Sequence, residues 1–225
     1  MLDARSARVK SDLKARHSRN AQARTLAHRY YAPSYSSMIS NALTTHVKRP
    51  SLVLGGTLAA SWVIFAATML SGGALLSLGI VPRTMLGLRG ILFAPFLHAN
   101  LQHLLSNSVP FLMLGWLVML RDARHFIPVT LFAMLGSGAL AWLLGASGSV
   151  HIGASGVIFG YLGFLMLSGW YTRSVGSIAL SVLVTALWGG VVLGVMPGVP
   201  GVSWQGHLGG FIGGVLAARR FRAKR

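Results

Sequence analysis

Between Pro50 and Ala218 the only charged side chains are Arg83, Arg89, Arg121, Asp122, Arg124 and Arg173. A soluble domain carries charge on about a quarter of its residues, so this stretch cannot fold as a water-facing globule. Its long apolar runs suit a bilayer instead, where a spanning helix needs roughly 20 mostly apolar residues. Over all 225 residues, 53% are hydrophobic and 10% charged, with a mean hydropathy of +0.63. Stretches at 52–71, 101–120, 126–147, 155–170, 177–196 and 205–219 qualify or nearly qualify as spans. The expected fold class is an all-α membrane protein, a bundle of six transmembrane helices.

The distribution of cations orients the bundle. Ten of the twenty Lys and Arg lie within 1–49 and five within 219–225. The pI near 11.9 therefore reflects basic flanks, not a basic folded face, and no nucleic-acid partner is expected. A cytoplasmic N-terminus leaves eighteen Lys and Arg inside and only Arg83 and Arg89 outside, as the positive-inside bias requires. The same bias demands an even number of spans, so both termini are expected in the cytoplasm. The expected organisation is a basic N-terminal tail (1–49), a membrane domain (50–219) and a basic C-terminal tail (220–225). Membrane lipids are expected partners, with anionic lipids at the basic tails. The first 49 residues lack the apolar core of a signal peptide, so none is expected there. The expected location is the bacterial inner (plasma) membrane, with the mitochondrial inner membrane as the alternative suggested by the Arg-rich start. The apolar connection from Ser71 to Leu101 is interrupted by Pro82, Arg83, Arg89 and Pro95. It is expected as a half-submerged loop at the outer face, its arginines snorkelling to the interface.

Scarcity of acids removes whole classes of chemistry. Asp3, Asp12 and Asp122 are the only acidic residues and none lies within an apolar run. A carboxylate-dyad protease needs two acids in one site, and proton pumps place acids within the bundle. Cysteine is absent, which excludes thiol nucleophiles, disulfides and Cys-ligated metals. No cofactor or metal is expected.

With the N-terminus inside, the second, fourth and sixth helices start at the outer face. Those starts hold nearly all the reactive polar side chains of the membrane part: His98, His103 and Asn107, then Gly153-Ala154-Ser155-Gly156, then Gly206-His207. Polar groups at membrane depth are costly and by default functional. His103 and Asn107, four apart, share one helix face. Gly156, Gly160 and Gly163 in the fourth helix, and Gly210 and Gly214 in the sixth, are spaced for close helix approach. A contact between those helices would bring the Ser155 hydroxyl and the His207 ring into hydrogen-bond range, the arrangement that activates a nucleophile. His151, in a short external loop, is expected to be exposed.

In order and spacing, His98-x4-His103-x3-Asn107, Gly153-Ala154-Ser155-Gly156 and His207-x2-Gly210-x3-Gly214 resemble the rhomboid family of intramembrane serine proteases. The resemblance covers roughly residues 50–219. It implies a Ser–His dyad, with Ser155 as nucleophile and His207 as general base, and no carboxylate to complete a triad. It also implies an oxyanion site from His103, Asn107 and the Ser155 backbone N–H, with Gly153 in the turn that forms it. His98, Gly156 and Phe159 are implied in supporting roles. Phe159 stands where many members carry a Tyr packed on the catalytic His, and Gly87-Leu88-Arg89-Gly90 replaces their Trp-Arg dipeptide. The substrates implied are single-span or other transmembrane proteins, cut near the outer face. A non-proteolytic, rhomboid-like membrane chaperone is the alternative.

Overall fold

The computed structural model describes residues 14, 16–22, 40, 44–199 and 201–222. The chain divides into two units, Met1–Thr44 and Thr45–Arg225. Within the second, the longer helices are α1 (Arg49–Leu70), α2 (Leu101–Asp122), α3 (Phe126–Leu144), α4 (Ser155–Thr172), α5 (Val175–Trp188) and α6 (Trp204–Arg220). Five of them match the apolar runs to within a few residues; α5 ends at Trp188, short of the expected 196, and the run continues as a 3-10 segment over Gly189–Val195. By length and composition, three helical stretches can cross a membrane: Arg49–Leu70, Leu101–Leu144 and Val175–Val195. The Leu101–Leu144 stretch comprises α2 and α3, joined by the short turn Ala123–His125.

Helix starts follow local capping chemistry. Asn100 caps α2 by accepting the His103 N–H at 2.8 Å, and Ser174 accepts from the Ser177 N–H at the start of α5. Ser203 accepts from the Gly206 N–H at the start of α6. Each supplies an oxygen to a helix end whose first N–H groups have no partner within the helix.

The centre of the bundle is α4, flanked by α6. Val157, Ile158, Tyr161, Leu162, Phe164 and Leu165 of α4 are all buried, against Leu54, Phe111, Leu114, Val118, Phe126 and Val129. Tyr161 keeps its hydroxyl satisfied at 2.8 Å from Thr130 Oγ1, which itself donates to the Phe126 carbonyl. The most extensive helix contacts are those of α6 with α4 and with α3. Both run through glycine. A Cβ on Gly210 or Gly214 would strike the Gly156 or Gly160 carbonyl of α4. On the other face, a Cβ on Gly209 or Gly213 would strike the Gly136 or Phe132 carbonyl of α3. Two rows of glycine thus let α6 sink into the groove between its neighbours. Sequence spacing disclosed only the row that faces α4.

The 71–100 connection is tied into the bundle more tightly than a snorkelling loop would be. Arg83, although exposed, is tied to the end of α3: its guanidinium donates to the Leu143 and Gly145 carbonyls at 3.1 and 2.8 Å and to Ser147 Oγ at 2.7 Å. It thereby caps the end of α3, whose last carbonyls otherwise lack partners. Trp142 Nε1 donates to the Thr84 carbonyl, and Ile80 and His151 exchange both backbone hydrogen bonds.

Gly214→Val is expected to prevent α6 from seating, because the obstacle is backbone and cannot rotate away. Overpacking ordinarily costs about 1–3 kcal/mol, and this position should exceed that range. Gly55→Ala, where a Cβ would meet nothing within 4 Å, should be neutral or stabilising by up to about 1 kcal/mol. Thermal unfolding of both variants in detergent checks the contrast.

Candidate active site

At one end of the bundle, Ser155 is the first residue of α4 and His207 lies in the first turn of α6. His207 Nε2 is 2.8 Å from Ser155 Oγ, and His207 Nδ1 is 2.9 Å from the Gly194 carbonyl oxygen. A carbonyl can only accept, so Nδ1 carries the proton and Nε2 is left to accept from the serine hydroxyl. That is the tautomer a general base requires. Phe159, one turn along α4 from Ser155, stacks on the His207 ring at a centroid distance of 4.1 Å and an interplanar angle of 10°. Gly194 permits this packing: a Cβ there would lie 2.8 Å from Phe159 Cζ.

The start of α2 reaches the same place. A Cβ on Gly153 would lie 2.6 Å from His103 Nε2, so the imidazole rests on the backbone of the turn before Ser155. Gly153 also has φ of +109°, a conformation that side chains disfavour. Its N–H is held by the Ala94 carbonyl. The Ser155 N–H, as the first of α4, has no partner within the helix. Asn107 is buried, and one of its amide protons goes to the His103 carbonyl at 2.7 Å. His98 packs edge-on against His103, ring centroids 5.0 Å apart. It is 1% exposed, and among the described residues neither ring nitrogen has a hydrogen-bond partner. Burial first, then the nearby His103, lowers the His98 pKa to about 4; the Phe96 backbone opposes the shift without a well-formed hydrogen bond. A Cβ on Gly156 would meet the Ser137 hydroxyl and lie 3.3 Å from the Gly206 carbonyl.

His151, expected to be exposed, is half-buried and bridges two elements. Its Nδ1 is 2.6 Å from Ser203 Oγ and its Nε2 is 3.0 Å from Ser149 Oγ. Ser149 donates to the Ala146 carbonyl and Ser203 accepts from the Gly206 N–H. With those ends fixed, the proton sits on Nε2 and the Ser203 hydroxyl donates to Nδ1. A directed chain therefore runs from the α3–α4 loop to the cap of the helix carrying His207, and burial holds the His151 pKa below its usual value. Spacing could not disclose it, since His151 and Ser203 are 52 residues apart. A small cavity of about 20 Å³ adjoins these groups, lined by Ser137, His151, Ser155, Ser203 and His207 among others. It can admit one water molecule.

The family model described as the Rhomboid domain matches residues 85–224. The chain belongs to the rhomboid family. Uncharacterized protein Rv1337 of Mycobacterium tuberculosis is 42% identical over 188 residues, covering 78% of each chain. Putative rhomboid protein L523 of Acanthamoeba polyphaga mimivirus is 37% identical, covering 56% of this chain and 70% of its own. RHOMBOID-like protein 4 of Arabidopsis thaliana is 32% identical, covering 56% of this chain and 32% of its own. Family membership and the apolar helices together make this rhomboid an integral membrane protein.

Two measurements probe this geometry. His98 binds its proton more weakly folded than unfolded, so its contribution to stability should fade as pH drops from about 6.5 towards 4. Thermal unfolding of His98→Phe in detergent should show a flatter pH dependence in that window than the unmodified protein. His151→Ala and Ser203→Ala should each cost about 1–2 kcal/mol. The double variant should cost little more than either single one, and additive losses would show that the two side chains act independently.

Proposed function

We propose that this rhomboid is an intramembrane serine endopeptidase working through a Ser155–His207 dyad. The observation that carries this reading is the 2.8 Å contact between His207 Nε2 and Ser155 Oγ, with Nδ1 committed to the Gly194 carbonyl. In the reaction, Ser155 Oγ attacks the scissile carbonyl while Nε2 takes the hydroxyl proton. The oxyanion of the tetrahedral intermediate is met by the Ser155 N–H, the His103 imidazole and the remaining amide proton of Asn107. Donors fixed in place before the charge develops lower the barrier most in a site that excludes bulk water. His207 then passes its proton to the leaving amine. A water reversing the sequence frees Ser155, and the cavity beside the dyad lies on its route.

The expected topology is six crossings with both termini cytoplasmic, which sets the dyad towards the outer face. A spanning helix has every backbone carbonyl bonded within itself, so a substrate must unwind locally before its peptide bond reaches Ser155. Favoured substrates are therefore transmembrane segments with Gly, Pro or other helix-weakening residues in their outer third. The residue before the cut should be small, because glycines crowd the approach to Ser155.

Ser155→Ala and His207→Ala should each abolish cleavage of a single-span reporter, and the double variant should be no worse than either. His103→Ala and Asn107→Ala should each lower turnover by about 10- to 1,000-fold while Ser155 still takes up a fluorophosphonate probe slowly. Cleavage by the Ser155→Ala protein at more than about a hundredth of the normal rate would remove Ser155 from this role. A folded wild-type protein that neither labels nor cleaves would favour the chaperone reading.

A further inference from the structure

At the opposite end of α6 from the dyad, an open groove of about 990 Å³ is lined by Arg121, Arg124, Arg219, Arg220 and Arg222, with Phe221 and Leu216 beside them. Among the described residues Asp122 is the only acid in that lining, and its carboxylate is already engaged by Arg124 at 2.8 Å. Arg121 donates to Ser177 Oγ at 2.7 Å and Thr172 Oγ1 at 2.6 Å, and its guanidinium lies over the Phe164 ring at 5.8 Å from the centroid. Arg219, Arg220 and Arg222 are exposed and, among the described residues, form no ion pair. The C-terminal dipole of α6 accounts for one or two cations within its last turn. It does not account for a concave wall of arginines gathered from several elements.

The second feature lies along α6. Ile212 and Leu216 are 42% and 49% exposed, and Ile212, Leu216 and Arg220 are spaced four apart on one face. An apolar strip therefore runs from the bilayer to the basic groove. Phe221 forms part of the groove wall and is stacked on His125 at 4.8 Å. Guanidinium groups recognise phosphate through paired hydrogen bonds, and basic pockets at membrane helix ends suit anionic headgroups. We propose that this groove binds the headgroup of an anionic phospholipid, with an acyl chain laid along Ile212 and Leu216. The excess of cations favours a headgroup carrying two phosphates. The inference does not depend on the proposed catalytic reading.

The test is native mass spectrometry of the full chain in detergent with cardiolipin, phosphatidylglycerol or phosphatidylcholine, with inorganic pyrophosphate as a free-anion competitor. The two anionic lipids should remain bound, cardiolipin more tightly, while phosphatidylcholine is lost. The triple variant Arg219→Gln, Arg220→Gln, Arg222→Gln should bind cardiolipin about 100-fold more weakly, at about 1 kcal/mol per cation. The basic N-terminal tail is untouched in that variant, so the loss locates the lipid. Leu216→Gln should weaken lipid retention but leave any pyrophosphate binding unchanged. Ser155→Ala should bind lipid normally. Should the triple variant aggregate, Arg220→Gln alone carries the same comparison with a smaller expected loss, about fivefold. Equal retention of phosphatidylcholine, or cardiolipin binding unchanged by the arginine substitutions, would overturn the proposal. So would pyrophosphate that binds in the groove and displaces the lipids completely at equimolar concentration.

Discussion

The close approach of α6 to α4 and α3 is the constraint on which the active end depends. Lipid tails are as apolar as leucine, so membrane helices gain nothing by merely hiding greasy surface from one another. What holds them is contact, and contact here is backbone against backbone. Gly210 and Gly214 lie against the Gly156 and Gly160 carbonyls, while Gly209 and Gly213 lie against the Gly136 and Phe132 carbonyls. His207 sits within one turn of Gly209 and Gly210 on the same helix. Moving α6 outward by the width of a methyl group would stretch a 2.8 Å hydrogen bond to Ser155 beyond useful length. The glycines set the distance between Ser155 and His207, the proposed nucleophile and base, as surely as they set the packing.

Distance alone does not fix a base; the ring must also be aimed and its proton placed. Three separate contacts do this. The Gly194 carbonyl fixes the tautomer, Phe159 fixes the ring plane, and Ser203 caps the helix from which His207 projects. Ser203 is held in turn by His151, whose backbone pairs with Ile80 of the 71–100 connection. The same connection supplies the Ala94 carbonyl that holds the N–H of Gly153. A segment that sequence presents as an interrupted apolar loop thus belongs to the frame of the site.

What could be read beforehand followed from periodicity and exclusion. Apolar runs located α1 to α6 because bilayer helices must be apolar over their length. The lack of acids narrowed the chemistry to neutral nucleophiles before any geometry was known. Gly153, Ser155, Gly156 and His207 stood out because small and polar residues clustered at helix starts. The rest was hidden for a physical reason: it consists of pairings across long stretches of chain. Nothing near His151 indicates Ser203, nothing near Arg83 indicates the carbonyls of Leu143 and Gly145, and the second glycine face of α6 has meaning only once α3 is placed beside it. Reading His151 as exposed failed in just this way, since a loop position says where the backbone runs and not what the ring can reach.

The distribution of charge gives the molecule two unlike ends. Near Ser155, imidazoles, hydroxyls, amides and carbonyls do all the polar work, and the described residues place no carboxylate there. Holding neutral groups in a partly dry site avoids the large desolvation cost that a buried carboxylate would bring. The His207 ring is oriented by a carbonyl dipole instead of an anion. At the far end of α6 the order reverses: arginines crowd together with a single acid among the described residues there, a condition that exposed side chains tolerate because water and salt screen them. One helix therefore carries a charge-poor terminus beside the proposed dyad and a charge-rich terminus at the proposed lipid groove. The shortage of acids that excluded so many reactions from this sequence is the same feature that makes both ends possible.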